Sequence, residues 1–217
     1  MVAFFLSRVP PIEIHHDNSG GLRTLRPYAK PLGLLYLIVV FRTMTAIAIA
    51  TFVPVMLTRR GMTVGAAGAS VAVYLLASGV GGFFGGPAAD RFGPKRVIAW
   101  SLVLSTPFLV AAPFLHGAAF VIILAIGGFF LQSTLPVNVI FGQALAPVSA
   151  ATVSSLMMGF AWGTGGLTVP LTGYVADRLG IERTLIALAF VPLLAAACAL
   201  PLPGGRTRLP REIAVVR

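Results

Sequence analysis

The chain has 217 residues, of which 57% are hydrophobic and 10% charged, with a net charge of +10 and a mean hydropathy of +0.93. Soluble domains carry roughly a quarter charged residues, so this composition excludes a water-soluble enzyme or binding module. The basic excess lies in tails and turns and forms no single patch, which excludes a nucleic-acid-binding face.

Residues 1–30 mix polar positions with Pro10, Pro11, Gly20, Gly21 and Pro27, and read as a tail. The apolar start, Met1 to Leu6, is too short for a signal core, so the later spans are expected to drive insertion. His15, His16 and Asp17 are adjacent, but neighbouring side chains point apart and no further ligand is near, so no metal site and no cofactor are expected. Six continuous apolar stretches follow, at 31–57, 65–88, 96–115, 118–142, 151–176 and 183–203. Each can hold the about 20 apolar residues a helical span needs. The runs do not alternate every second residue, which excludes barrel strands. Between Arg96 and Asp177 lie 80 residues without a single Asp, Glu, Lys or Arg. The expected class is an all-α integral membrane protein in a lipid bilayer, with a six-helix domain over 31–203 and a second tail over 204–217.

The first span carries Arg42 close to mid-depth, where an arginine costs roughly 2.5–3.5 kcal/mol to insert. No span holds an acid at that depth. Arg42 either faces a cavity, with an anionic substrate or a partner acid from another polypeptide, or it snorkels or hydrogen-bonds to carbonyls of a neighbouring helix. In the second span Gly81 and Gly85, and Gly82 and Gly86, are four apart; in the fifth, Gly159 and Gly163 are. Small residues at that spacing let helices approach closely. Pro136 and Pro170 interrupt spans four and five, which frees carbonyls. Span four also carries Gln132, Ser133 and Asn138, which form either a polar cavity wall or interhelical hydrogen bonds. Trp162 and Tyr74 lie deep enough to line a cavity or fill the core. Trp100 reads as an interface anchor, and the lone Cys198 as a small core residue.

The second and fifth spans end in the same pattern. Gly86, Ala89, Asp90, Arg91, Gly93 and Arg96 reappear 87 residues later as Gly173, Ala176, Asp177, Arg178, Gly180 and Arg183. The same offset maps the starts of spans one to three onto those of spans four to six. The unit is therefore three helices, repeated over about 31–115 and 118–203. Three is odd, so the second unit enters the membrane from the opposite side, as an inverted repeat. Each Asp-Arg turn is expected to close a helix, its aspartate pairing with the adjacent arginine or with the N-terminal dipole of another helix. Eleven of the 16 Lys and Arg residues fall on the face of the two tails and the first Asp-Arg turn, and four on the opposite face. That split places both termini in the cytoplasm.

The run GGPAADRFGPKR, Gly85 to Arg96, resembles the cytoplasmic signature loop of the major facilitator superfamily. The stretch from about Leu22 to Pro203 resembles the C-terminal half of such a transporter. LLYLIVVFRT, TFVPVMLTRRG, LPVNVIFGQALAP and MMGFAWGTGGL resemble the fosmidomycin-resistance efflux branch. The resemblance implies alternating access and proton-coupled efflux of a small drug-like or anionic compound across a bacterial inner membrane. It makes Asp90, Arg91 and Arg96 gating-loop residues and turns Arg42 to a central cavity. It also implies twelve spans, so a second six-helix half or a second copy is the expected partner. Ala144 follows Gln143 where the pattern carries an acid, and no span holds a proton-carrying carboxylate. Two other classes compete. An intramembrane protease would need a Gly-x-Ser-Gly nucleophile and a histidine within a span, and neither is present. A non-transporting six-helix scaffold or inactive truncated remnant remains as the alternative.

Overall fold

The computed structural model describes residues 28–202. The two tails, with His15, His16 and Asp17, lie outside them. The described chain is a bundle of six helical rods. α1 spans Ala29–Arg59 and α2 spans Val64–Phe92. α3 spans Pro94–Ala111 and tightens into a 3₁₀ turn at Ala112–Phe114. α4 spans Gly117–Leu145. A 3₁₀ turn at Pro147–Ser149 leads into α5, which is built from Ala150–Ser154, a π segment at Ser155–Phe160 and Ala161–Leu179. α6 is two pieces, Ile181–Ala189 and Val191–Ala199.

Five rods, all but α5, are long and apolar enough to cross a membrane. α5 has the length, but a π turn offsets its register and its C-terminal half is rich in Gly and Thr. α1, α2, α4 and α5 outrun the apolar stretches that predict them at both ends, taking in Arg59, Asp90, Arg91, Asp177 and Arg178, while α6 stops at Ala199, short of the expected 203. This corrects the reading of the repeated motif. Asp90 and Arg91 are in the last turn of α2, and Asp177 and Arg178 in the last turn of α5. The turn itself is one glycine. Gly93 has φ 89° and ψ 142°, and Gly180 has φ 90° and ψ 145°. A Cβ is disfavoured at such positive φ. The hydrogen bonds also repeat at the 87-residue offset. Gly93 donates to Ala89 and accepts from Val97, while Gly180 donates to Ala176 and accepts from Thr184.

The packing obeys the same exchange. α2 packs on α4 as α5 packs on α1, and α3 packs on α4 as α6 packs on α1; α1 against α4 and α3 against α6 are their own counterparts. The bundle is an inverted repeat of two three-helix units. Close approach is carried by different glycines in the two pairs. Between α2 and α4, Gly81 and Gly85 lie on the backbone of Phe129 and Ser133, and Gly128 leaves room for Tyr74 and Ser78. Between α5 and α1, Gly165 makes room for Thr43. Gly159 and Gly163 have no neighbour within 4 Å of where a side chain would start, so the second four-residue spacing carries no packing in this bundle.

Two cations lock the ends. Lys95, at the start of α3, donates to the carbonyls of Leu200 (2.6 Å) and Leu202 (2.7 Å), at the negative end of α6. Its repeat counterpart is Glu182, so the opposite end solves the same problem with a third residue. Arg60 donates from Nε to Glu182 (2.8 Å) and from Nη1 and Nη2 to the carbonyls of Leu115 and Pro113. One side chain thus ties three inter-helix turns. Arg60→Met is expected to lower stability by about 2–3 kcal/mol, since hydrogen bonds to charged groups contribute about 1.5–3 kcal/mol. Thermal unfolding in detergent checks this, with Arg59→Met, at an exposed neighbour without such bonds, as the comparison. Equal melting temperatures for the two variants contradict it.

Candidate functional site

Arg42 is the largest fully buried side chain of the bundle. α1 places it where α1, α4 and α5 meet. Its Nη1 donates to Gln132 Oε1 on α4, and its Nη2 to Thr43 Oγ1 at 3.0 Å. The guanidinium carbon lies 5.9 Å from the ring centroid of Trp162 on α5, within the range at which a cation is attracted by an indole face. Trp162 is itself 40% exposed, so it stands between the arginine and the surface. Next to it, Tyr36 on α1 hydrogen-bonds Thr164 on α5 (3.0 Å) and stacks on Phe160.

The polar groups here are incompletely satisfied. Arg42 Nε and both amide atoms of Asn138 are buried and reach no hydrogen-bond partner, while Tyr74 and Ser78, one turn apart on α2, are buried with only each other to bond. Most buried polar side-chain atoms are paired, and an orphan marks a place for water, an ion or a ligand. The cation also lacks a counter-ion. Among the described residues the acids are Asp90, Asp177 and Glu182; all three are exposed, and the one ion pair is Arg60 with Glu182.

Of the residues expected at a cavity, Arg42, Gln132 and Trp162 come together. Asn138 is fully buried and unpartnered, six residues further along α4. Ser133 turns away, its hydroxyl bonded to the Phe129 carbonyl at 2.7 Å. Arg42 is sealed inside the bundle instead of lining an open cavity. Thr43 joins the cluster, and Tyr36 and Thr164 tie α1 to α5, without a signal of their own in the sequence, because a hydroxyl in an apolar run is ordinarily absorbed by its own helix. Asp90 and Asp177 pair with neither adjacent arginine. Arg91 instead lies 5.4 Å from the Phe92 ring and Arg178 lies 4.4 Å from the Tyr174 ring.

The Major Facilitator Superfamily model matches residues 35–214, most of the chain and all the helices that build the cluster. The chain belongs to the major facilitator superfamily. It is 39% identical over 122 residues to the uncharacterized MFS-type transporter YfnC of Bacillus subtilis, and 37% identical over 123 residues to the fosmidomycin resistance protein of Escherichia coli K12. Each match covers 56% of this chain and 30% of the relative. A D-galactonate transporter of Escherichia coli O6:H1 is 29% identical over 170 residues, 73% of this chain and 39% of its own length. The crystal structure of the superfamily transporter FucP in the outward conformation superposes with a TM-score of 0.73 at 20% identity, over 91% of this chain and 50% of that one. The chain thus spans about a third of the curated relatives it matches and half of the solved fold.

Within the superfamily frame, the residues of the signature run fall at the end of α2 and the start of α3. Gly85 is packed and Gly86 has open space around it. Asp90, Arg91 and Arg96 are exposed at the end of the bundle, and Gly93 makes the reversal. In the second copy Gly173 meets only the ring of Phe52, and Asp177, Arg178 and Gly180 repeat the exposed pattern.

Proposed function

We propose that the chain forms one six-helix half of a bacterial inner-membrane transporter that exports a small anionic compound by alternating access. The observation that carries this reading is Arg42, a cation buried at mid-bundle with an unpaired Nε and no acid among the described residues to neutralise it. A substrate bearing a carboxylate or phosphonate would supply the missing charge and accept from the free nitrogen. Trp162 would be the side chain that moves aside to admit it, with Gln132 and Asn138 as further hydrogen-bonding groups. The likeness to a fosmidomycin resistance protein supports efflux and a phosphonate-like substrate.

A second six-helix half, or a second copy, would supply the other cavity wall. α2 is the least buried of the five apolar rods, and Leu76, Phe83 and, on α5, Leu167 are more than 70% exposed. Asp90, exposed and without an ion-pair partner among the described residues, would meet a helix end of that half and hold one conformational state, with both termini in the cytoplasm. Proton antiport would need its carboxylate from the opposing half, since the described acids sit at helix ends.

The test is export of a small phosphonate from cells carrying this chain, an N-terminal six-helix half, or both. Export is expected only with both. Export by this chain as a strict monomer contradicts the half-transporter reading, and its absence in every combination favours a non-transporting six-helix scaffold.

A further inference from the structure

We propose that the cleft between the end of α1 and the α5–α6 turn binds the phosphate of an anionic phospholipid headgroup. The cleft has a volume of about 340 Å³ and is lined by Met56, Arg59, Arg60, Leu179, Glu182 and Arg183, among others. That volume lies in the range of small-molecule sites. Its only acid is Glu182, and Arg60 occupies it at 2.7 Å while also holding the Pro113 and Leu115 carbonyls. Arg59 and Arg183 are both exposed and have neither an ion pair nor a side-chain hydrogen bond among the described residues. The cleft therefore carries two uncompensated positive charges beside a fixed ion pair.

Depth and lining select a lipid. α1 has 31 residues and rises about 46 Å at 1.5 Å per residue, against a hydrocarbon layer of about 30 Å. Its last turn, with Arg59, stands at headgroup level. Met56 and the 59% exposed Leu179 offer apolar surface for the glycerol and upper acyl carbons, while the guanidinium groups match a phosphate in charge and fork geometry.

The internal repeat supplies a comparison within the molecule. At the 87-residue offset, Arg59 and Arg60 correspond to Ala146 and Pro147. That end of the bundle forms its turn without cations there, and Lys95 is bound to backbone carbonyls. The turn geometry thus does not require Arg59, while Arg183 recurs as Arg96 at the other end; neither Arg59 nor Arg183 is tied to a side-chain partner among the described residues.

The experiment uses the full chain in nanodiscs of phosphatidylcholine containing a minority of phosphatidylglycerol, with retained lipid counted by native mass spectrometry. Wild type is expected to retain phosphatidylglycerol preferentially, and the Arg59→Gln/Arg183→Gln double variant about 25-fold less, since each arginine near an anionic surface contributes on the order of a factor of five. Arg59→Lys/Arg183→Lys is expected to keep most of the preference, and Arg91→Gln/Arg96→Gln, with the same charge change at the opposite end, all of it. Inorganic phosphate added in neutral detergent separates the sources. A rise in melting temperature with phosphate, lost in the Arg59→Gln/Arg183→Gln variant and without any lipid preference, overturns the lipid and assigns the cleft to a soluble phosphate. Equal retention of the two lipids by wild type with no response to phosphate, or the same preference in both double-Gln variants, overturns the site.

Discussion

Gly85→Ala is expected to abolish stable folding of the bundle, while Gly86→Ala, one residue along, leaves it intact. A Cβ on Gly85 would stand 2.9 Å from the carbonyl carbon of Ser133 and closer still to its oxygen. The obstacle is main chain in the middle of α4, so no rotamer change relieves it. Gly81 meets the Phe129 carbonyl carbon at 2.7 Å in the same way one turn earlier, so α2 would have to lift off α4 along two turns. Overpacking in a side-chain core costs about 1–3 kcal/mol, and a clash against fixed backbone exceeds that. Alanine's gain in helix propensity, about 1 kcal/mol over glycine, does not offset it. Gly86 has nothing within 4 Å of the same point and keeps only the propensity gain. Melting temperatures of the two variants in detergent should therefore move in opposite directions. A Gly85→Ala protein that melts with wild type removes the close α2–α4 contact as a determinant of the fold.

The second large effect separates stability from activity at Arg42. Arg42→Met is expected to keep the fold, with stability unchanged or raised by about 1 kcal/mol, and to lower export at least about 100-fold when paired with the complementary half. Replacing a buried charge with an apolar side chain of similar volume is often neutral or stabilising. Here the charge has no carboxylate partner among the described residues and leaves Nε unpaired, so little favourable electrostatic energy is lost. Methionine refills the space against Trp162 with a favourable sulfur–aromatic contact. The anion, by contrast, loses its charge partner entirely. Arg42→Lys keeps the charge without the fork that reaches Gln132 and Thr43 together, and is expected to fall between the two. Unfolding of Arg42→Met with a well-folded Arg42→Lys would make the residue structural. Unaltered export by Arg42→Met would remove it from the substrate path.

The six helices, their inversion and the unusual depth of Arg42 were legible in the sequence for a shared reason. Hydropathy reports the solvent each segment sits in, and a charge at the wrong depth stands out against it. The 87-residue recurrence carried the symmetry, and the match of Gly93 and Gly180 in backbone angles bears it out. Sequence spacing was a weaker guide to contact. Gly81 and Gly85 share their spacing with Gly82 and Gly86 and with Gly159 and Gly163, yet the first pair alone lies against another helix's backbone. Facing direction depends on the whole bundle, and in α5 the π segment just before Trp162 shifts the register that spacing assumes.

What the sequence determined by itself is therefore the solvent, the number of rods, the repeat and the one misplaced charge, all properties of local composition and periodicity. Only the tertiary structure decided which side chains meet that charge, that it is enclosed, that the motif's acids stay unpaired, and that Arg60 gathers three turns. Those contacts join residues 53 to 122 positions apart around Arg60 and 90 apart at Arg42. Partners so distant leave no trace in a hydropathy pattern, because each helix meets the same lipid whichever neighbour it later packs against.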